Sequence, residues 1–224
     1  MTLQAKLDAF RRDFEAGAPP FNVTKEIVDL QHWATGDLVA SGAADRALKE
    51  GARAPFFSLP SESGAIVRMD AMLARGPLVL SFYRGVWCPY CNFDLEALQD
   101  VLPAIEARGA NLVAISPQTP GNSRKSKRQT GAAFDILSDA RNAVARRYGL
   151  VFKLPDYLIE GVYKPLGADL AAFNGDESWE LPIPARFIVS TDGRIAYAEA
   201  HPDYKQRPEP TALIDVLDRL SQPA

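Results

Sequence analysis

The strongest constraint on the fold lies between Pro77 and Ile105. The run PLVLSFYR is apolar without alternation, as a strand buried on both faces requires, and GVWCPYCN then hands it over to a helical stripe of Leu95, Leu98, Leu102 and Ile105. The order repeats downstream: strand NLVAIS, a helix from about Pro120, strand FDIL, and a helix through Val144 and Tyr148. Strands alternating with helices call for parallel pairing with crossover helices. FIVS, the turn TDG and RIAYAE read as an antiparallel hairpin, and Leu213, Leu217 and Leu220 mark a closing helix. Upstream, FFSLP and AIVRM flank a Ser-rich turn. The expected fold class is therefore α/β, a central mixed sheet flanked by helices.

Two other stretches differ in texture. Residues 1–50 are expected as an N-terminal helical extension to a main domain spanning 51–224. There Leu3, Leu7, Phe10 and Phe14 recur at helical spacing, APP breaks the run, and Ile27, Leu30, Ala34 and Leu38 mark a second helix ending near Ser41 and Gly42. The expected use of these faces is packing on the main domain or on a dimer partner, rather than ligand binding. Residues 153–180, rich in Pro, Gly and acidic side chains, interrupt the alternation and are expected as an insertion that shapes access to the thiols.

At 224 residues and 47% hydrophobic composition the chain can bury an ordinary core. A net charge of -3 with both signs interspersed carries no footprint for nucleic acid or an anionic membrane. The cluster RKSKR at 124–128 is too short to change that and is expected as a solvated helix face. No apolar run is long enough to span a bilayer, and the opening MTLQAKLDAFRRDFEAG is charged where a signal peptide is apolar, so the expectation is a cytoplasmic protein.

The chain has two cysteines, Cys88 and Cys91, and too few to staple a secreted scaffold. Zinc needs four donors, and only His32 and His201 remain, far apart in sequence. No phosphate-cradling glycine motif follows a strand, and no metal or cofactor is expected. The pair sits where strand becomes helix. Cys88 falls at or just before the helix N-terminus, where unpaired N–H groups and the helix dipole stabilise a thiolate. Pro89 suits the first helical turn, and Cys91 lies one turn on, within reach of a disulfide. This is the pattern of a redox-active dithiol.

WCPYC, residues 87–91, combines the Trp-Cys start of the thioredoxin site with the Cys-Pro-Tyr-Cys of glutaredoxins. The larger frame resembles the alkyl hydroperoxide reductase/thiol-specific antioxidant family, the peroxiredoxins, through GARAPFFSLPSESG, FYRGVWCPYC, NLVAISPQTP and ARFIVSTDGRIAY. The resemblance implies a thioredoxin-like fold. It also implies a dithiol/disulfide cycle that reduces hydrogen peroxide or organic hydroperoxides, with Cys88 and Cys91 catalytic and Trp87, Pro89 and Tyr90 supporting. The reductant would be a thiol such as thioredoxin, glutaredoxin or glutathione, and a homodimer is possible. The chain departs from the family pattern P-x-x-x-T-x-x-C. Aligned on Cys91, those places hold Arg84 and Cys88, and the late-strand Arg is replaced by Pro184.

A proline at that place matches thioredoxins, which implies a cis Ile183–Pro184 bond facing the thiols. Arg84 and Arg186 are candidate cationic partners, each expected at the surface or in a salt bridge. Three functions stay open: peroxide reductase, thioredoxin- or glutaredoxin-like disulfide reductase, and redox-sensing interaction protein. Two assignments of the attacking thiol also compete. The thioredoxin pattern implies Cys88 and the peroxiredoxin pattern Cys91; proximity to the helix N–H groups and to solvent favours Cys88.

Overall fold

In the computed structural model, which describes residues 1–221, the chain opens with α1 (Leu3–Glu15) and α2 (Lys25–Ala40). The hydroxyls of Thr2 and Thr24 accept backbone N–H groups of their first turns. The hairpin β1 (Ser58–Pro60) and β2 (Ile66–Arg68) and the short α3 (Met69–Leu73) lead into β3 (Leu78–Phe82). Then come α4 (Pro89–Glu106), β4 (Asn111–Ser116), α5 (Pro120–Thr130), β5 (Asp135–Ser138) and α6 (Ala143–Arg147). The interrupting stretch follows as β6 (Val151–Lys153), α7 (Asp156–Leu158), a π turn over Ile159–Tyr163, α8 (Leu170–Asn174) and β7 (Glu180–Pro182). β8 (Ala185–Val189), β9 (Ile195–Ala200) and α9 (Ala212–Ser221) come last.

The main sheet has the order β5-β4-β3-β8-β9, with β3, β4 and β5 parallel and β8 and β9 antiparallel. β3 sits at its centre, and its apolar run divides with the two-residue period of a strand. Leu78, Leu80 and Phe82 join Met69, Tyr148 and Phe187 on one face. Val79 and Tyr83 join the α4 stripe and Leu213, Val216 and Leu217 of α9 on the other. α1 adds Leu3 and Leu7 to that second layer. A third cluster joins Leu154, Leu158, Val162 and Leu170 to Ile27, Leu30 and Ala34 of α2.

Glu209 accepts the backbone N–H groups of Leu3 and Gln4, each at 3.1 Å, placing a carboxylate at the positive end of α1. Gln4 also accepts from the Arg207 N–H at 3.1 Å, so α1 and the loop before α9 hold each other in place. The stretch from Lys153 to Glu180 is closed at its base, since these two residues face each other across the β6/β7 pair.

Two expectations are corrected. Among the described residues the cis peptide bond is Pro19–Pro20, and Ile183–Pro184 is trans. The chain runs extended from β7 into β8, with the Ile183 N–H on the Leu150 carbonyl (2.7 Å) and the Pro184 carbonyl accepting from His201 (3.3 Å), which a cis bond would pull out of line. The basic cluster of α5 is only partly a solvated face. Lys127 pairs with Glu62 at 2.7 Å, Arg124 donates to the Glu62 carbonyl, and Ser126 is buried against the site loop.

Leu7 is fully buried between α1 and α4. Leu7→Ala is expected to cost about 2–5 kcal/mol in urea unfolding, the range for a buried leucine that leaves a cavity; a loss well under 1 kcal/mol would show α1 to be only loosely attached.

Candidate active site

The loop from β3 to α4 carries the site, and its shape is fixed by polar anchors. Val86 donates its N–H to Gln118 Oε1 (2.9 Å), while Gln118 Nε2 donates to the Tyr83 hydroxyl (2.6 Å) and to Ser126 Oγ (2.9 Å). Asn92 Nδ2 donates to the Val86 carbonyl at 2.9 Å. Gly85 has φ +147°, and a Cβ there would lie 2.6 Å from Trp87 Nε1, so the turn requires glycine. The chain then enters α4 with Cys88 as N-cap residue and Pro89 at the first helical position.

Cys88 and Cys91 lie 3.2 Å apart. Both are buried, Cys88 at 2% and Cys91 at 0% exposure, so Cys88 faces bulk solvent less than its place in the sequence suggests. Arg84 is buried beside them at 4% exposure, against the expectation of a surface or salt-bridged residue. Its guanidinium stacks over Tyr204 (4.0 Å to the ring centroid) and Trp87 (4.8 Å) and donates to the Tyr163 hydroxyl. Arg84 Nε and Nη1 have no hydrogen-bond partner among the described residues. A second guanidinium, Arg207, donates from Nη2 to Cys91 Sγ at 3.4 Å.

These charges separate the two thiols. Burial pushes the Cys88 pKa up, but the hydrogen bond from Cys91 and the charges of Arg84 and Arg207 outweigh it and bring it down to about 6. For Cys91, burial and the neighbouring Cys88 sulfur push the pKa well above the usual thiol range, and the two guanidiniums offset this only in part. The shifts run in opposite directions, favouring the ionised form at Cys88 and the protonated form at Cys91. Arg84 stays charged: burial works against it, but Tyr163, Cys88 and Tyr204 raise its pKa overall.

Of the other expected residues, Trp87 packs edge-on against Tyr163 (5.5 Å between centroids), and Tyr90 lies between Phe10 (5.2 Å) and Tyr204 (5.4 Å). Arg186 is salt-bridged to buried Asp94 and donates to the Pro208 carbonyl at 2.8 Å. Arg186 and Pro184 line a small separate cavity with Asp94 and Arg207. Sequence reasoning did not single out Arg207, Gln118, Tyr163 or Tyr204. Gln118 carried a usable signal, since it follows β4 at the carboxyl end of the strand next to β3, where sites of α/β sheets gather.

Cys88 opens onto a cavity of about 340 Å³. Its walls include Phe10, Phe14 and Phe21 from the N-terminal segment and Leu158, Val162 and Leu166 from the interrupting stretch. The N-terminal helices therefore pack on the main domain, as expected, and also wall the cavity, which was not. Among the described residues no helix is long and apolar enough to cross a membrane.

The AhpC/TSA family model matches residues 51–198. Alkyl hydroperoxide reductase E of Mycobacterium bovis is 30% identical over 105 residues, 46% of this chain and 69% of that protein. Peroxidoxin BcpB of Mycobacterium tuberculosis superposes with a TM-score of 0.60 at 21% identity, covering 77% of this chain and 96% of the other. The Bacterioferritin Comigratory Protein of Xanthomonas campestris gives 0.60 at 18% identity, covering 79% and 99%. At such identities the two structures speak for the shared thioredoxin-like fold.

The separation of the thiols sets the pH profile of alkylation. Only thiolate reacts, so iodoacetamide labelling of Cys88 in the reduced protein is expected to rise with a midpoint near pH 6 and level off above it, with Cys91 labelled only at far higher pH. Peptide mapping that finds Cys91 labelled first would reverse the assignment.

Proposed function

The chain belongs to the AhpC/TSA family, and from that premise we propose that it is a thiol-dependent peroxidase in which Cys88 attacks the peroxide and Cys91 resolves the product. The observation that carries this reading is the buried Arg84 guanidinium beside Cys88, with Cys91 3.2 Å from it.

The Cys88 thiolate attacks one peroxide oxygen and the O–O bond breaks. The departing oxygen leaves as alkoxide or hydroxide and takes up a proton to become alcohol or water, while Cys88 becomes a sulfenic acid. The sulfur of Cys91 then attacks that of Cys88, the S–O bond breaks, and water leaves as the Cys88–Cys91 disulfide forms. An external thiol of the thioredoxin, glutaredoxin or glutathione type supplies the two electrons that restore the dithiol.

The two arginines give the steps their order. While Cys88 is a thiolate, burial and the neighbouring Cys88 sulfur together hold Cys91 protonated. Oxidation to the neutral sulfenic acid removes the charge part of that opposition and leaves Arg207 on Cys91 Sγ, so Cys91 ionises more readily, though still buried, once it has a target. Of the two features on which the disulfide-reductase alternative leaned, the WCPYC motif stands and the cis Ile183–Pro184 bond does not.

Cys91→Ser is expected to react once with hydroperoxide, yield a dimedone-trappable sulfenic acid at Cys88 and lose turnover, whereas Cys88→Ser loses the rapid reaction by a factor of about 10³ or more. Mass spectrometry of the wild-type protein after stoichiometric peroxide should find the Cys88–Cys91 disulfide. Rapid peroxide consumption by Cys88→Ser would assign the attack to Cys91, and turnover of a model disulfide without any peroxide would reject the peroxidase.

A further inference from the structure

We propose that Gln4 of α1 is a positioning residue for the resolving step, acting through Arg207 on Cys91. The inference rests on the peroxidase reading and assigns to that reaction a residue outside both the cavity and the thiol loop.

The first argument is how Arg207 is carried. Its Nη2 meets Cys91 Sγ at 3.4 Å, yet the segment KQRPEP that bears it belongs to no helix or strand. Pro208 and Pro210 have no N–H with which to join a ladder. Partners for this backbone must come from side chains elsewhere.

Gln4 supplies them with all of its amide. Oε1 accepts the Arg207 N–H at 3.1 Å and Nε2 donates to the Lys205 carbonyl at 3.3 Å, so the amide grips the backbone on both sides of Gln206. Nε2 also donates to Asp8 Oδ1 at 3.1 Å, one turn along α1, an acceptor that holds the amide in this orientation. The backbone N–H of Gln4 binds the same segment, at Glu209 Oε1 (3.1 Å). On the far side of Arg207, Arg186 Nη1 holds the Pro208 carbonyl at 2.8 Å. Arg207 is thus fixed from two directions, and Gln4 is one of them.

The contact leaves little slack. On Cys91 the guanidinium favours the ionised sulfur that attacks the sulfenic acid. Releasing the backbone by about 1 Å would take Nη2 off the sulfur, and a misplacement of that size can slow a step by up to about 10²-fold. Gln4 and Arg207 both lie outside residues 51–198, so this pairing is added to the matched frame rather than taken from it.

The test is single-turnover kinetics with hydrogen peroxide at about pH 8, above the Cys88 midpoint of about 6. Attack scales with peroxide concentration and disulfide formation does not, so rapid quench and mass spectrometry separate the two. Gln4→Met, similar in length and without hydrogen bonds, should slow disulfide formation at least about tenfold, with kcat/KM for peroxide, which reports attack alone, within about twofold of wild type. Arg207→Met should slow the same step, and adding Gln4→Met to it should slow that step no further, as expected of two residues acting through one contact. Gln4→Glu, which keeps an acceptor for Arg207 but no donor for Lys205, should shift the step in the same direction and serves if Gln4→Met does not fold. Disulfide formation at the wild-type rate in the folded Gln4 variant, or full additivity with Arg207→Met, overturns the role of Gln4 while the peroxide-dependent phase keeps the peroxidase standing. Absence of that phase in the wild type overturns both.

Discussion

The site depends on one electrostatic arrangement, a buried guanidinium with no carboxylate partner among the described residues, held beside a thiol at a helix N-terminus. A buried cation is costly unless something shares its charge. Here Tyr163, Tyr204 and Trp87 surround Arg84 with ring faces and a hydroxyl, and the Cys88 thiolate is the anion that completes the balance. Protein and thiolate stabilise each other: the Cys91 hydrogen bond and the charges of Arg84 and Arg207 favour ionised Cys88 against its burial, and ionised Cys88 compensates the burial of Arg84. Arg207 repeats the arrangement for Cys91, where the near thiolate opposes it until the first oxidation.

Holding this arrangement takes most of the fold. β3, paired on both sides, fixes the start of the loop at Tyr83, and Gln118 at the end of neighbouring β4 holds Val86. Arg207 arrives from the loop before α9, which is pinned to α1 through Gln4 and Glu209. The N-terminal helices thus act at two places. α1 steadies the loop that brings Arg207 to Cys91, and together with α2 and the stretch between β6 and β7 it encloses the space over Cys88.

The sequence displayed the parts of this structure that obey local rules. The apolar run of β3, the helical stripe of α4, the N-terminal position of Cys88 and the late hairpin all follow from periodicity and turn chemistry, and the structure has them. Arg84 was misjudged because an arginine is ordinarily exposed or paired with a carboxylate, and the rings that shelter it come from positions 87, 163 and 204, which only the tertiary fold gathers. Arg207 stands in the Pro-rich stretch KQRPEP, which has no periodicity to signal burial. The stripe of α1 looks the same whether its phenylalanines enter a core or border a cavity. Ile183–Pro184 followed a motif analogy, whereas its geometry is set by strands already paired on either side.

The central claim is that the charge of Arg84 keeps Cys88 ionised, and the ultraviolet absorbance of the first thiolate to form in reduced Arg84→Met, with Cys91 kept in place, tests it most directly. With the fold verified by circular dichroism, the account predicts that the titration midpoint moves from about 6 up into the range of an ordinary or buried thiol. A midpoint that stays near 6 without the guanidinium would contradict it and leave the Cys91 hydrogen bond and Arg207 as the source of the ionisation.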